Sequence, residues 1–288
     1  MRSSLSLLEA VENNLILQVQ KFIADGADVN QIVTDLKGKS TTLLQIAASE
    51  DYLGIVKLLL SKGACPLSLP LDFAIFGGLN DVAELIIQNN QEIINEGLYI
   101  HLAIDAENSK IVDLLLKNGA NIDARNEMNR TPLHNATELR KYEIIQLLLY
   151  YKADIDAFQW PGRTPLQIAI ISNDRKATRI LLKNGANPNL TSDLYEFQFT
   201  PLHIGISCEH FDMVELLIAY NADLNLKDRS GDPTMHLAIH TRNMKIMKLL
   251  LMNGVCVNTK DLNGNNAVEK ALNLAVVHVA KIIWLDQM

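Results

Sequence analysis

Short apolar runs alternate along the chain with stretches of small, polar and turn-forming residues, and the runs come in pairs. Thr131-Pro132-Leu133-His134-Asn135-Ala136, Thr164-Pro165-Leu166-Gln167-Ile168-Ala169 and Thr200-Pro201-Leu202-His203-Ile204-Gly205 are copies of one pattern. A threonine that caps a helix, followed by proline at the first helical position where a missing N–H costs nothing, predicts a helix start in each. The second run of each pair carries an apolar stripe at helical spacing, as in Ile144, Leu147 and Leu148. Glycine then ends the second helix at Gly26, Gly63, Gly119, Gly185 and Gly254, where a left-handed residue is needed. Asn90 and Asn221 fill the same slot, and Lys152 there predicts a strained or differently shaped turn. Asp228-Arg229-Ser230-Gly231 and Asp261-Leu262-Asn263-Gly264 have the chemistry of tight turns that project as fingers beside the helices.

The small residue that closes the first run recurs as Ala10, Ala47, Ala74, Ala103, Ala136, Ala169, Gly205, Ala238 and Ala271. The spacings are 37, 27, 29, 33, 33, 36, 33 and 33 residues. Small residues at this point let neighbouring helices approach, and two short helices cannot bury the stripe alone, so adjacent copies must stack. The period of about 33 with its Thr-Pro-Leu-His signature resembles the ankyrin repeat family over essentially the whole chain. The resemblance implies an all-α ankyrin-repeat solenoid of about nine helix-turn-helix repeats with finger loops, elongated, with one continuous core and no substantial β-sheet. A single domain over 1–288 is expected, with an N-terminal cap at 1–35, repeats at 36–260 and a partial or capping repeat at 261–288. The short spacings predict shallow fingers at Cys65 to Ser68 and at Asn95 to Gly97. The spacing of 36 predicts a long finger at Thr191 to Phe199.

The ends of a solenoid should differ from its middle. Lys21 stands where later copies have the first Leu of the run, which predicts a polar outer face. At the other end Val279, Ile282, Ile283, Trp284 and Leu285 are apolar with no repeat after them, which predicts an exposed face, self-association through the C-terminal end, or continuation into a longer protein.

Composition narrows the function. The chain is 48% hydrophobic with a net charge of −7, a field that repels duplex nucleic acid and anionic membranes. The most apolar stretch, Ala271 to Leu285, is interrupted by Asn273, His278 and Lys281 and is too short for membrane insertion. Cys65, Cys208 and Cys256 are odd in number and scattered, which predicts free thiols in a reducing, cytoplasmic setting. Ile- and Asn-rich repeats fit an AT-rich genome, and so a pathogen or symbiont effector acting in a host cytosol.

His101, His134, His203 and His236 hold one position in their repeats. Equivalent residues of stacked helices lie roughly 8–10 Å apart, too far to share one metal ion, so each is expected to hydrogen-bond near its helix start to the neighbouring Thr or loop backbone. Gln45 and Gln167 take the same slot. Cys208 has no orienting acid, Cys65 and Cys256 read as small packing residues, and Phe76-Gly77-Gly78-Leu79 lacks the ending of a phosphate loop. No catalytic site, metal or cofactor is expected, and the chain reads as non-enzymatic.

The surface remains. In ankyrin proteins partners bind the fingertips and the exposed part of the first helices. In repeats five to eight these positions hold Met128, Arg130, Phe158, Trp160, Arg163, Tyr195, Phe197, Phe199 and Arg229, with Leu139, Ile171 and Cys208 on the first helices. Tyr, Trp and Arg dominate binding energy at protein interfaces. A protein-protein interaction scaffold recognising another protein through these fingers is the leading expectation. The alternatives are a nucleotide or small-ligand sensor using the same aromatic and Arg fingers, and the targeting half of a larger enzyme or ubiquitin-ligase adaptor.

Overall fold

A computed structural model describes residues 6–34, 38, 40–65, 71–89, 92, 94, 98–191, 199–274 and 276–286. It forms two compact units, Met1–Ala124 and Arg125–Met288.

The first unit contains α1 (Leu7–Glu12), α2 (Ile16–Ala24), β1 (Ile32–Thr34), β2 (Ser40–Thr42), α3 (Leu43–Ser49), α4 (Leu53–Ser61), α5 (Leu71–Phe76), α6 (Asn80–Asn89), α7 (Tyr99–Asp105) and α8 (Ser109–Lys117). Odd-numbered helices pack against their own partner and against the next odd-numbered helix. Leu43, Leu44, Ile55, Leu59, Leu71, Ile75, Ile86, Ile104, Ile111 and Leu115 are fully buried between them. Ser6 with Glu9, and Thr42 with Gln45, form reciprocal capping boxes at α1 and α3. The finger ahead of α3 is a two-stranded antiparallel hairpin that pairs Ile32 with Thr42, Val33 with Thr41 and Thr34 with Ser40. No strand is expected there from the repeat pattern; the β-branched residues on both arms favour it.

The second unit contains α9 (Pro132–Glu138), α10 (Tyr142–Tyr150), α11 (Pro165–Ile171), α12 (Arg175–Lys183), α13 (Pro201–Ser207), α14 (Phe211–Ala219), α15 (Thr234–Thr241), α16 (Met244–Met252), α17 (Ala267–Asn273) and α18 (Val277–Asp286). Thr131, Thr164 and Thr200 cap α9, α11 and α13 with proline at the first turn, as the motif predicts. The marker residues Ala136, Ala169, Ala238 and Ala271 are fully buried at the close helix contacts.

Backbone conformation follows the sequence at the turns. Gly26, Gly63, Gly119, Gly185 and Gly254 have φ between 77° and 97°, and Asn221 lies at 61°. Lys152 adopts φ 69° in the same slot, so the turn keeps its shape and the strain falls on a residue with a Cβ. A second left-handed series, just after the first helix, was not expected: Asp51, Glu107, Arg140, Asn173, Glu209 and Arg242 lie at 51–57°.

Adjacent copies are fastened by single polar side chains after the second helix. Asn30 Oδ1 accepts from the Cys65 amide at 2.8 Å, Asp156 from Asn187 at 3.0 Å, Asn189 from Asp223 at 2.8 Å and Asn225 from Cys256 at 2.8 Å. Cys65 and Cys256 are therefore not packing residues. Both thiols are exposed, while Ala64 and Val255 just before them turn inward.

The ends also depart from expectation. Lys21 is exposed, but so are Leu15, Ile16 and Leu17, so the outer face of the first copy is mixed rather than polar. At α18, Val279 and Ile283 are buried and Ile282 is half-buried, because the helix turns its stripe onto α17 and α16. These three do not form an exposed apolar face. The side chains of Trp284 and Leu285 lie outside the described residues, as do the expected shallow fingers at 66–68 and 95–97.

Candidate functional site

The fingers of the second unit are small backbone-closed turns. The first amide of each donates to the fifth carbonyl: Asn126 to Arg130 at 3.1 Å, Gln159 to Arg163 at 2.9 Å, Asp228 to Asp232 at 3.1 Å and Asp261 to Asn265 at 3.0 Å. A left-handed residue stands fourth, as Asn129, Gly162, Gly231 and Gly264. In three fingers the first side chain supports the turn: Asn126 accepts from Met128 and Arg130, Asp228 from Asp232, and Asp261 from Asn263 and Asn265. In the sixth repeat Gln159 takes that place, Pro161 has no amide to offer, and the buried Gln159 Oε1 has no hydrogen-bond partner.

In several repeats the motif's histidine or glutamine ties its own first helix to a carbonyl of the loop that follows. His134 Nδ1 lies 3.2 Å from the Thr131 amide and 2.7 Å from its hydroxyl, while Nε2 lies 3.0 Å from the Arg163 carbonyl. The imidazole thus replaces the carboxylate of a capping box and donates through Nε2 to the next finger. His236 reaches Asn265 O at 2.9 Å, His101 reaches Ala124 O at 2.9 Å, and Gln167 reaches Phe199 O at 3.2 Å. His203 takes the same pair of bonds from Thr200, with its Nε2 left unpaired. Nδ1 of His101 and His236 has no partner, since Leu98 and Pro233 cap nothing. Burial pushes His134 down to about 4, outweighing the Arg163 carbonyl, and lowers His203 and His101 as well. The bond to the following repeat was not anticipated from the sequence, which shows the residue but not its partner.

The expected partner-binding residues divide into four groups. Met128 and Trp160, 59% and 64% exposed, stand on the tips of consecutive fingers, and Arg163 and Arg229 are exposed beside such tips. Phe158 and Arg130 are half-buried: the Phe158 carbonyl accepts from Arg125, and Arg130 pairs with Glu138 of α9. Phe199 folds back, its ring stacked on His203 with centroids 6.1 Å apart. Tyr195 and Phe197 lie outside the described residues. On the first helices Leu139 and Cys208 are exposed and Ile171 is half-buried.

Two further features escaped the sequence reading. Leu262 of the last finger lies over Gly231 of the one before, where a Cβ would meet Leu262 Cγ at 2.6 Å. Beneath these fingers Lys270 Nζ lies 3.0 Å from Asp261 and 3.6 Å from Asp232. Burial raises the Asp261 pKa, but the Asn265 amide and the Lys270 ammonium outweigh it and hold the carboxyl at about 2. The ion pair was signalled only by an Asp and a Lys nine residues apart, and the Leu262 contact by nothing in the sequence.

Among the described residues no group of three or more His, Cys, Asp and Glu could hold a metal ion, and no helix is long and apolar enough to cross a membrane.

Comparison with known proteins gives the same repeat. The family of ankyrin repeats, in a three-copy form, matches residues 100–192, 157–228 and 191–261, and a single ankyrin repeat matches 40–69. The chain is 31% identical over 147 residues to the mitochondrial disaggregase of Bos taurus, covering 46% of this chain and 21% of that protein. Two Fowlpox virus (strain NVSL) proteins named for ankyrin repeats are 29% identical over 196 residues and 32% over 133, covering 67% and 46% of this chain but 40% and 16% of their own lengths. The chain thus spans less than half of each of these relatives. The crystal structure of the ankyrin repeat domain of Bcl-3, a unique member of the IkappaB protein family, superposes with a TM-score of 0.68 at 22% identity, covering 76% of this chain and 99% of that one. Capped helix pairs, backbone-closed fingers, histidine pins and matched sequence agree, and the chain belongs to the ankyrin repeat family.

Proposed function

We propose that this chain is a non-enzymatic scaffold that binds another protein through the fingers and first helices of repeats five to eight, with Trp160 as the main anchor. The observation that carries this reading is the placement of Trp160: 64% exposed, on a finger whose backbone is closed by the Gln159–Arg163 pair. The finger holds its shape without the indole reaching the helical core. Such an aromatic gains most of its stabilisation when a partner buries it. Met128 on the preceding finger and Leu139 at the C-terminal cap of α9 extend the apolar surface, and Arg163 and Arg229 supply polar contacts.

The similarity to Fowlpox virus proteins supports a role as a pathogen effector in a host cytosol. The match to part of the mitochondrial disaggregase supports a second reading in which the same surface is the protein-binding portion of a longer chain. The test is affinity purification from the native or host cell with wild type and Trp160→Ala side by side. Proteins recovered by wild type and lost from a still-folded Trp160→Ala are the expected outcome. Equal recovery by both moves the site elsewhere.

A further inference from the structure

Arg130 and Arg163 close consecutive fingers at the same position, 33 residues apart, and both carbonyls complete their turns in the same way. Their side chains meet different fates. Arg130 is gripped by both carboxylate oxygens of Glu138, with Nη2 3.2 Å from Oε1 and Nη1 on Oε2. At the place equivalent to Glu138, the sixth repeat has Ile171. Arg163 is exposed and makes no ion pair among the described residues.

The surroundings are cationic. Across the four described fingers Arg125, Arg163, Lys227, Arg229 and Lys260 are exposed, against Glu127 as the exposed acid. Asp228 and Asp261 are buried and Asp232 is half-buried beside Lys270. This positive edge stands on a chain of net charge −7. A planar guanidinium with no carboxylate, on the same closed finger as an exposed indole and in a repeat whose first helix has a half-buried isoleucine where Arg130 has Glu138, matches a carboxylate joined to an apolar neighbour.

We propose that Arg163, with Trp160 and Ile171, forms a subsite for an aspartate or glutamate side chain of the partner protein, next to an aromatic or aliphatic residue of the same segment. The partner's carboxylate takes at Arg163 the place that Glu138 takes at Arg130. This rests on the fingers being the binding surface, and it adds the chemistry of what they hold.

The probe is a displayed library of random dodecapeptides selected on the whole chain, followed by synthetic copies of the selected peptides. Selected sequences are expected to carry Asp or Glu within two positions of an apolar residue. Arg163→Gln, which keeps the carbonyl that His134 needs, should weaken their binding about tenfold or more. Ile171→Glu should weaken it comparably by supplying the carboxylate from within, while Lys183→Gln, the same charge change on the second helix of that repeat, leaves it unchanged. Equal melting temperatures establish that the variants are folded. Selection without an acidic preference, failure to select any peptide, or tighter binding of a phosphoserine copy than of the carboxylate one overturns the subsite. Peptides lost with Trp160→Ala but indifferent to Arg163→Gln leave the finger surface standing and remove the carboxylate. Peptides indifferent to both remove the finger reading as well.

Discussion

His134 and Arg163 are joined across two repeats: the imidazole Nε2 lies 3.0 Å from the arginine carbonyl oxygen while Nδ1 caps the histidine's own helix. One side chain thus starts α9 and fixes the base of the following finger, and it does both only while neutral. A protonated ring has no lone pair left at Nδ1 for the Thr131 amide.

Stability should therefore fall with acid in a defined window. His134 is held at about 4 in the folded chain against an ordinary value near 6.5, so the unfolded chain binds the proton first. Its contribution is present above about pH 6.5 and is lost as pH falls toward 4. Urea titrations across this range should show a declining midpoint, with a shallower decline in His134→Gln. At pH 7 His134→Gln should cost little, since Gln167 already makes the same bonds, whereas His134→Ala should cost about 1 kcal/mol or more.

Lys270 predicts a large effect from a single charge. Removing it with Lys270→Met leaves the buried Asp261 carboxylate without its counter-ion, a change that costs about 3–5 kcal/mol in comparable sites. Adding Asp261→Asn should recover part of that loss, because the neutral side chain no longer needs the ammonium. Denaturant midpoints of the three chains check it.

At Lys152 a gain is expected. The residue sits at φ 69°, a conformation that costs an L-residue about 1–2 kcal/mol, part of which Lys152→Gly returns as unfolded-state entropy. A net increase of about 0.5–1 kcal/mol should appear as a higher melting temperature. A drop in melting temperature would mean that the lysine side chain contributes more than its backbone costs.

Ile283 separates core from surface at the C-terminal end. Because it is fully buried, Ile283→Lys should destabilise the chain by several kcal/mol, as an unpaired buried charge does, rather than merely suppress association. Circular dichroism melts and light scattering on the same variant distinguish the two outcomes.

How far the sequence reached differs by element. Thr131-Pro132 and Gly185 were legible because each acts through its own backbone, within the few residues that surround it. Trp160 was placed correctly on a projecting turn for the same reason, since Thr164 and Pro165 start α11 so soon after it. What stayed hidden were relationships between residues a repeat apart. The carbonyl that His134 meets, the Glu138 that occupies Arg130 but has no counterpart for Arg163, and the stacking of Phe199 on His203 all depend on register in space. The inward turn of Ile283 escaped because an apolar stripe reads the same whether its neighbour precedes or follows it in the chain.

The backbone closure of the fingers bears on how such a protein diversifies. Glu127, Trp160, Arg229 and Leu262 occupy one equivalent position in four fingers and share neither charge, size nor polarity. The frame beneath them is nonetheless the same five-residue loop, held by main-chain atoms that any substitution retains. Mutation at a tip is thereby uncoupled from the folding of the repeat that carries it. If the fingers are the binding surface proposed above, each tip is free to drift toward a new target while its neighbours keep the old one, and recognition evolves one finger at a time on a scaffold that does not have to be reinvented.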